Sequence, residues 1–482
     1  MNIRPIFGMA AAFLAAMPQG AEAKSERDKD PRPNILFILA DDMGKECLGC
    51  YGSTYNTPNL DRFAEEGIQF NSATSQPLST PSRVELLTGR YNYKNYSKFG
   101  FMNQDEHTFA QLAQQAGYAT GIAGKWQLGT NDKLPAHFGF DNYCLYHLMY
   151  KGNKYAKPFF EVDGVMHKNC TENDYGPDFF SDYICNFMEK NKDKPFLAYY
   201  CMTLVHDPFQ ATPESDDWNV EPQKRFDVDD KYFPDMVSYT DKMFGKVMDK
   251  LRQLKLEDNT IVIFVGDNGT ATYISTKMKD GTRVQGGKAK TLETGTAVPM
   301  IARWGKYSYM KHATDDLVDF TDFLPTFAEA MKKDVPNTWD IDGRSFLPVL
   351  QGKDNSNKRD YVFVHYKPNH VPQARLEQFS ARYYKDHRYK LYSNGLFYDF
   401  VNDPNECHPI VKGKGTPEAE AVREKFEKLM AKLPYWDYNT PNVKMVIQPG
   451  LEPISTGVGQ KWKAKKAGNG NNNASNPQKQ NK

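Results

Sequence analysis

Two continuous runs of β-branched and aromatic residues constrain the fold of this chain more than any other feature. They are NILFILADD at residues 34–42 and NTIVIFVGDNG at residues 259–269, and their apolar parts are not interrupted by polar residues. Such runs are typical of parallel strands that are buried on both faces. Helical patterns lie between and around them, at residues 57–70, 108–118, 178–191 and 235–254. The alternation predicts a doubly wound α/β sheet, with further strands at residues 195–206 and 298–304.

The C-terminal part of the chain has a different texture. A chain of 482 residues exceeds the length at which one hydrophobic core usually keeps growing, so a second, smaller unit is expected. Short aromatic strands follow residue 355, and a helical pattern occupies residues 417–433. They predict a small antiparallel sheet with one helix packed on it. The predicted boundaries are a large domain at residues 24–355, a subdomain at residues 356–450, and a disordered tail at residues 451–482 that is poor in apolar residues.

The first 23 residues have the features of a secretory signal peptide. Arg4 precedes an apolar run at residues 6–17, and the small-residue pattern Ala21-Glu22-Ala23 marks a cleavage site. The apolar run is shorter than the ~20 residues of a membrane span, and no other stretch approaches that length. We therefore expect a periplasmic or secreted protein without a membrane span.

Charge and cysteine content exclude some classes of protein. A formal net charge of +1 provides no global field for nucleic acid or for a membrane surface, so no nucleic-acid partner is predicted. The seven cysteines are few and odd in number, which does not indicate a disulfide framework. Cys47 and Cys50 have the spacing of a metal or redox pair, but no second pair follows, and a structural role is favoured.

Oxygen ligands follow both of the apolar strands. Asp41 and Asp42 end the first strand, and Asp267 and Asn268 end the second. In open α/β sheets, ligands bind beyond the carboxyl ends of the strands, so the four side chains are expected to meet there. Three carboxylates and an amide oxygen suit Ca²⁺ or Mg²⁺ better than zinc.

Three basic residues are candidates to bind an anion in the same crevice. Lys125 follows a short apolar segment, Lys288 lies in GGKAKTLETGTAVP, and His206 ends the strand predicted at residues 195–206. Each of these residue types is more often solvated or structural, so their importance depends on the fold bringing them together.

The crowded stretch SQPLSTPSRVELLTGRY, residues 75–91, predicts a helix that begins next to this crevice. Thr80 is expected as its N-cap and Pro81 as its first residue, while Gly89 ends it in a left-handed conformation. Ser79 would then lie at a helix terminus that attracts anions, and Arg83 could reach back to anchor it.

These residues resemble the signature of the type I sulfatases. STPSR at residues 79–83, followed by LTGR at residues 87–90, matches the family motif, in which Cys or Ser stands first. Other segments occur in the family order over residues 32–406, among them GYATGIAGKWQLG, HFGFDNY, VGDNG and YDFVNDPNE. The resemblance implies an alkaline-phosphatase-like fold, a large mixed and mostly parallel sheet flanked by helices, with a smaller C-terminal subdomain.

The resemblance also implies a set of cofactors and metal ligands. Ser79 would be oxidised to formylglycine, whose hydrate provides one hydroxyl for attack on sulfur and a second that lets sulfate leave without a hydrolytic water. The implied Ca²⁺ ligands are Asp41, Asp42, Asp267, Asn268 and the modified Ser79.

Catalytic roles follow from the same resemblance. Arg83 would steady the modified Ser79, and Lys125 and Lys288 would hold the sulfate oxygens. His206 would donate a proton to the leaving alcohol. Gln127 replaces a family histidine that is thought to accept a proton during sulfate release, and a neutral amide cannot act as a general base. Another group or water would take that role, or Gln127 would only position the diol.

A second departure is ETGTAVP at residues 293–299, which lacks an arginine that the family usually has near Lys288.

A serine-type signature implies maturation by an anaerobic radical enzyme. Exported bacterial relatives suggest a sulfated glycan as substrate, with galactose, N-acetylgalactosamine or N-acetylglucosamine sulfate at its end. Segments 145–155 and 365–375 are the expected recognition loops, with His147, His370 and Arg375 as candidate sugar contacts.

Two alternatives remain open on the residues alone. One is a phosphoester hydrolase of the same superfamily that uses unmodified Ser79 with two zinc ions, for which added histidine ligands would be expected. The other is a protein that binds sulfated glycans without turnover, which the neutral Gln127 would permit.

Overall fold

The computed structural model describes residues 31–146, 148–149, 152–307, 313–368, 380–437 and 443–454. The predicted signal peptide and residues 455–482 of the predicted tail lie outside these ranges. Residues 451–454, the start of that tail, lie against the large domain, where Leu451 is buried and its carbonyl accepts a hydrogen bond from Gln104.

The strands and helices alternate along most of the chain. The strands are β1 Asn34–Ala40, β2 Ile68–Thr74, β3 Ala119–Lys125, β4 Asn142–Tyr146, β5 Phe160–Val162, β6 Val165–His167, β7 Phe196–Cys201, β8 Thr260–Gly266, β9 Ser275–Lys277, β10 Arg283–Gln285, β11 Ala297–Trp304, β12 Ala313–Thr314, β13 Val318–Asp319, β14 Val362–Tyr366, β15 Ala381–Lys385, β16 Tyr389–Tyr392 and β17 Phe397–Asp399. The α-helices are α1 Pro58–Glu66, α2 Ser79–Thr88, α3 Asn92–Asn95, α4 Phe109–Gln115, α5 Leu134–His137, α6 Gly176–Lys190, α7 Phe233–Gln253, α8 Glu293–Thr296, α9 Phe323–Ala330, α10 Leu347–Leu350 and α11 Pro417–Met430.

A large mixed sheet forms the centre of the molecule, in the strand order β12-β2-β11-β8-β1-β7-β3-β4-β5-β6, with β13 also paired to β2. The five strands β8, β1, β7, β3 and β4 are parallel, and β11 pairs antiparallel to β8. Since β1 lies between β7 and β8, the carboxyl ends of three central strands meet at one edge. The predicted α/β fold, mixed and mostly parallel, is confirmed.

Each face of this sheet is buried under helices. In β1, Ile35, Phe37 and Leu39 belong to one hydrophobic core, and Leu36 and Ile38 belong to the other. Because successive side chains of a strand point to opposite faces, a strand buried on both sides must be apolar throughout. This requirement explains the uninterrupted NILFILA run.

The structure corrects two local predictions. The helix predicted at residues 57–70 ends at Glu66, and residues 68–74 form strand β2, in which Ile68 and Phe70 are buried on one face. Helix α2 begins at Ser79 with Leu78 as N-cap, so Thr80 is not the cap, and its hydroxyl accepts a hydrogen bond from the Gly100 amide. Gly89 ends α2 in the left-handed conformation, as predicted.

The C-terminal part forms the expected antiparallel sheet, in the order β14-β15-β16-β17, with α11 packed on it. Its other side includes Val364, Tyr366 and Tyr383, which pack with Leu78 beside the start of α2. The small sheet therefore supports the helix that carries Ser79.

The seven cysteines are free thiols. Within the described residues, no helix is both long enough and apolar enough to cross a membrane.

Candidate active site

The residues predicted for the site meet at the carboxyl edge of the central strands. Asp41 and Asp42 follow β1, Asp267 and Asn268 follow β8, and Lys125 is the last residue of β3. Ligands of open α/β sheets bind at this edge. Sheet order alone therefore brings together residues that are more than 200 positions apart in the chain. For example, the backbone N–H of Asp42 donates a hydrogen bond to Asp267 Oδ1.

Ser79 lies at the centre of this cluster. Its Oγ is 3.1 Å from Asp41 Oδ1 and 3.2 Å from Asn268 Oδ1. Lys125 Nζ donates a hydrogen bond to the same Oγ at 3.1 Å. Ser79 is also the first residue of α2, so the free N–H groups and the positive end of that helix lie next to it. An anion that contacts Ser79 would be stabilised by this helix terminus.

The four ligand candidates that follow β1 and β8 are buried, and hydrogen bonds join three of them. The Asp42 amide donates to Asp267 Oδ1 at 3.0 Å, and Asn268 Nδ2 donates to Asp42 Oδ1 at 2.9 Å. These oxygen donors fit a hard divalent cation such as Ca²⁺. Among the described residues, Asp41, Asp42 and His206 also place possible ligand atoms within 4.8 Å of one another.

Burial and the charges of neighbouring side chains together set the pKa values of these carboxylates. Burial disfavours the charged form of Asp41, but Lys125 and His206 outweigh it and hold the pKa well below its ordinary value. For Asp267, burial and the nearby Asp41 carboxylate raise the pKa to about 6, against the opposing effect of Arg83. A bound divalent cation would favour the ionised form of all three carboxylates.

Arg83 reaches the cluster from α2 and is almost fully buried. Its Nη2 lies 3.1 Å from Asp267 Oδ2 and 3.8 Å from Asp41 Oδ1. The predicted support of Ser79 by Arg83 is therefore indirect in this geometry, since it passes through the Asp41 carboxylate that Ser79 Oγ contacts.

Lys125 and Lys288 each contact one carboxylate of the cluster. Lys125 Nζ lies 2.7 and 2.8 Å from the two oxygens of Asp41, and Lys288 Nζ lies 2.5 Å from Asp42 Oδ2. Each ammonium therefore has a carboxylate partner and also faces the space beside Ser79 or His206. Both predicted lysines are in position to contact an anionic ligand.

His206 lies five residues beyond the end of β7 and is held by the residue that follows it. Its Nδ1 lies 2.6 Å from the Asp207 carbonyl oxygen and 2.8 Å from Asp207 Oδ1. The hydrogen bond to His206 lowers the pKa of Asp207, so the carboxyl is an ionised acceptor and the proton of Nδ1 points toward it. The Nε2 atom then lies 3.1 Å from Lys288 Nζ and 3.7 Å from Asp42 Oδ2.

Gln127 lies beside the same space with an unused acceptor. Its Oε1 has no hydrogen-bond partner among the described residues, and its backbone is left-handed, with φ of 56°. The nearby Gly124 is required by close packing, because a Cβ there would lie 1.7 Å from the Cys201 carbonyl oxygen. This close approach of β3 to β7 positions Lys125 and the loop that carries Gln127.

A cavity of about 340 Å³ opens onto these groups. It is lined by residues from four segments, including Asp41, Lys125, Gln127, Lys154 and His206. Its volume falls at the low end of the ~300–1,000 Å³ that is usual for small-molecule sites. The cavity therefore has room for a small polar ligand next to Ser79.

Lys154 was not among the predicted site residues. It is buried, and its Nζ lies 3.0 Å from His206 Nδ1. Its segment, residues 145–155, was predicted as a recognition loop, but a single lysine in GNKY carries no distinguishing signal. The candidate sugar contacts His147, His370 and Arg375 lie outside the described residues.

The geometry agrees with comparisons to known proteins. The sequence profile of the family "Sulfatase" matches residues 33–334, more than half of the chain. The chain belongs to the sulfatase family. This sulfatase is a sulfuric ester hydrolase, as the resemblance predicted. A second profile, "N-sulphoglucosamine sulphohydrolase, C-terminal", matches residues 288–434 and so includes the small antiparallel sheet.

Individual relatives are distant but cover most of the sulfatase. An N-acetylglucosamine-6-O-sulfatase of Bacteroides thetaiotaomicron is 25% identical over 82% of this chain and 86% of its own. An ulvan-active sulfatase of Formosa agariphila is 28% identical over 82% of this chain and 74% of its own. The crystal structure of Ps i-CgsB superposes with a TM-score of 0.68 at 25% identity, and covers 90% of this chain and 97% of its own.

Proposed function

We propose that this sulfatase removes sulfate from the end of a sulfated glycan, with galactose, N-acetylgalactosamine or N-acetylglucosamine sulfate as the sugar. The observation that carries the proposal is the position of Ser79, at a helix N-terminus between Asp41, Asn268 and Lys125. The relatives named for N-acetylglucosamine-6-O-sulfate and ulvan support a carbohydrate substrate.

Asp41, Asp42, Asp267 and Asn268 would hold a divalent cation, and their oxygen ligands favour Ca²⁺. When bound, it stabilises negative charge on a sulfate oxygen and on the nucleophile. His206 is not needed as a ligand, because Asp207 and Lys288 already occupy the surroundings of its two ring nitrogens.

The charge balance of the cluster favours an anionic substrate. Its three carboxylates, Asp41, Asp42 and Asp267, are contacted by three basic side chains, which are Arg83, Lys125 and Lys288. A divalent cation adds two further positive charges, so the loaded site has a net positive charge in a buried, weakly screened place. Lys125 and Lys288 bind the oxygens of the sulfate group and hold its sulfur next to residue 79.

His206 donates the proton that the leaving alcohol needs. Asp207 accepts from Nδ1–H, which fixes the ring orientation and leaves Nε2 on the cavity side. A sugar alkoxide is a poor leaving group, so proton donation at the ester oxygen lowers the barrier to S–O cleavage.

Residue 79 acts as formylglycine, which supplies a nucleophilic hydroxyl together with a second hydroxyl that allows sulfate release. An anaerobic radical maturation enzyme is the partner that oxidises Ser79 before export. The signal peptide at residues 1–23 then directs the protein to the periplasm or the exterior.

The first test is the mass of the peptide that contains Ser79, from protein produced in an anaerobic host with the maturation enzyme. We expect a loss of two hydrogens at Ser79 and none in a Ser79→Ala variant. An unmodified serine in active protein would refute the formylglycine mechanism and favour the phosphoester hydrolase.

The second test is hydrolysis of sulfated monosaccharides by the matured enzyme, with sulfate release measured directly. We expect turnover of at least one 6-sulfated or 4-sulfated hexose or hexosamine, and none by Ser79→Ala. Turnover of phosphate esters alone would contradict the proposal, and so would tight binding of sulfated sugars without turnover.

A further inference from the structure

Lys154 differs from the other basic residues of the site in its pairing. Arg83, Lys125 and Lys288 each contact a carboxylate of the metal-binding cluster. Within the described part of the chain, Lys154 has no carboxylate partner, and its nearest polar neighbour is His206 Nδ1 at 3.0 Å. It is therefore the one of these four side chains whose charge is not balanced by direct contact.

The contact with His206 does not satisfy the Lys154 ammonium. Asp207 Oδ1 and the Asp207 carbonyl both accept from Nδ1, so that nitrogen carries a proton and has no lone pair to offer Lys154. A buried cation without an acceptor is costly, and such groups are normally paired. The arrangement points to a missing anionic partner.

The local structure holds Lys154 in this position. The neighbouring Tyr155 hydroxyl donates to the carbonyl oxygens of Thr203, at 2.8 Å, and of His206. This contact ties the loop of Lys154 to the loop of His206. The Lys154 ammonium also lies 4.9 Å from the centroid of the Tyr155 ring, a cation–π distance. These contacts hold the loop so that the Lys154 ammonium lies beside His206.

Lys154 and Gln127 line the same cavity, together with Asp41, Lys125 and His206. Gln127 is neutral, so residue 127 adds no charge to the cavity. The Lys154 amine supplies a positive charge to the cavity when it is protonated. Burial lowers the pKa of Lys154 to about 7, an effect that Asp41 partly opposes, and an adjacent anion would favour the charged form.

We propose that Lys154 is a third amine that binds the sulfate group, alongside Lys125 and Lys288, in the cavity that the neutral Gln127 also lines. This assignment rests on the proposed function, because it takes the sulfate ester as the ligand. With this contact, Lys154 binds the sulfate group without first breaking an ion pair within the protein.

The test uses inorganic sulfate as probe and matured enzyme with formylglycine confirmed by mass. Charge-assisted hydrogen bonds of this kind suggest that Lys154→Met raises the inhibition constant of sulfate and the KM of a sulfated sugar by about 10- to 100-fold. Lys154→Arg keeps the charge and should recover part of both. Lys157→Met is the matched control, since Lys157 is exposed on the same loop and pairs with Glu172 at 2.7 Å.

A second measurement needs no variant. Lysine acetylation of the wild-type protein, followed by peptide mass spectrometry, should show that sulfate protects Lys154 and leaves Lys157 unprotected. Equal protection of both lysines, or an unchanged sulfate inhibition constant in folded Lys154→Met, would overturn the assignment. Failure of wild-type enzyme to hydrolyse any sulfated sugar would instead overturn the proposed function, and the protection experiment would still decide the role of Lys154.

Discussion

Replacing His206 with alanine tests its role in proton donation, because the loss should depend on whether the leaving group needs a proton. In this structure Asp207 holds Nδ1 at 2.8 Å, so Nε2 is the atom available to a leaving group. General acid catalysis typically contributes about 10²- to 10⁴-fold, which corresponds to roughly 3–5 kcal/mol of transition-state stabilisation. We expect His206→Ala to lower kcat on a sugar sulfate by that factor.

The assay compares two leaving groups in the same variant. An aryl sulfate with a nitrophenol leaving group departs as a stable phenolate and needs no proton, so its loss should stay below about tenfold. Asp207→Asn provides the control, because it keeps the imidazole but removes the carboxylate that orients it, and should give an intermediate loss on the sugar sulfate. Equal losses on both substrates in His206→Ala would refute the role of His206 as general acid.

Three further predictions concern the metal cluster and the sheet edge. The pKa of Asp267 is about 6 without metal, so protons compete with Ca²⁺ for this carboxylate below that pH. Calorimetric titration should therefore give a Ca²⁺ affinity that is about tenfold weaker at pH 5 than at pH 7. A Ca²⁺ affinity that does not change with pH would contradict Asp267 as a metal ligand. Arg83→Met leaves Asp267 without its 3.1 Å partner, so the variant should lose about 3–5 kcal/mol of stability. Ca²⁺ should restore part of the lost thermal midpoint, and a deficit that Ca²⁺ does not change would oppose this account. Gly124→Ala places a methyl group 1.7 Å from the Cys201 carbonyl oxygen and should reduce both the thermal midpoint and turnover. The control is Gly281→Ala, at another left-handed glycine that has open space around it, and it should leave turnover unchanged. Similar effects of the two substitutions would argue against close packing as the cause.

The metal-ligand candidates could be predicted from sequence because their position follows from a simple rule. A strand that is apolar on both faces is a central parallel strand, and residues after its end reach the ligand-binding edge. Asp41 and Asp267 satisfy this rule, and the pairing of β1 with β8 brings their ends together. The start of α2 beside Ser79 was predictable from helix-terminus chemistry, although Thr80 was wrongly expected as the N-cap.

Other elements could not be predicted, for identifiable reasons. The amphipathic pattern of α1 continues past Gly67 into IQF, so strand β2 was absorbed into the predicted helix. Strand β3 has the sequence ATGIAGK, and its glycines lower its strand propensity. Close packing requires them, because a Cβ at Gly121 would meet the Phe187 ring and a Cβ at Gly124 would meet β7. These are tertiary contacts that local sequence does not encode.

Lys154 was missed because its position depends on contacts made by its neighbour. The Tyr155 hydroxyl reaches backbone carbonyls about 50 residues away in the chain, at Thr203 and His206. No periodicity or motif in residues 145–155 indicates that contact. The segment was predicted as a recognition loop only because it was expected to lie near the crevice. A buried lysine without a carboxylate partner becomes visible only when the surrounding side chains are placed.

The pairing of the lysines implies that metal and sulfate binding reinforce each other. Lys125 and Lys288 lie against the carboxylates that also serve as metal ligands, so these ammonium groups and the cation compete for the oxygens of Asp41 and Asp42. With a cation bound to those carboxylates, both ammonium groups would be able to turn toward the sulfate oxygens. By linkage, sulfate must then strengthen cation binding by the same factor. Lys154 stands outside this exchange of partners, since it has no carboxylate contact to give up.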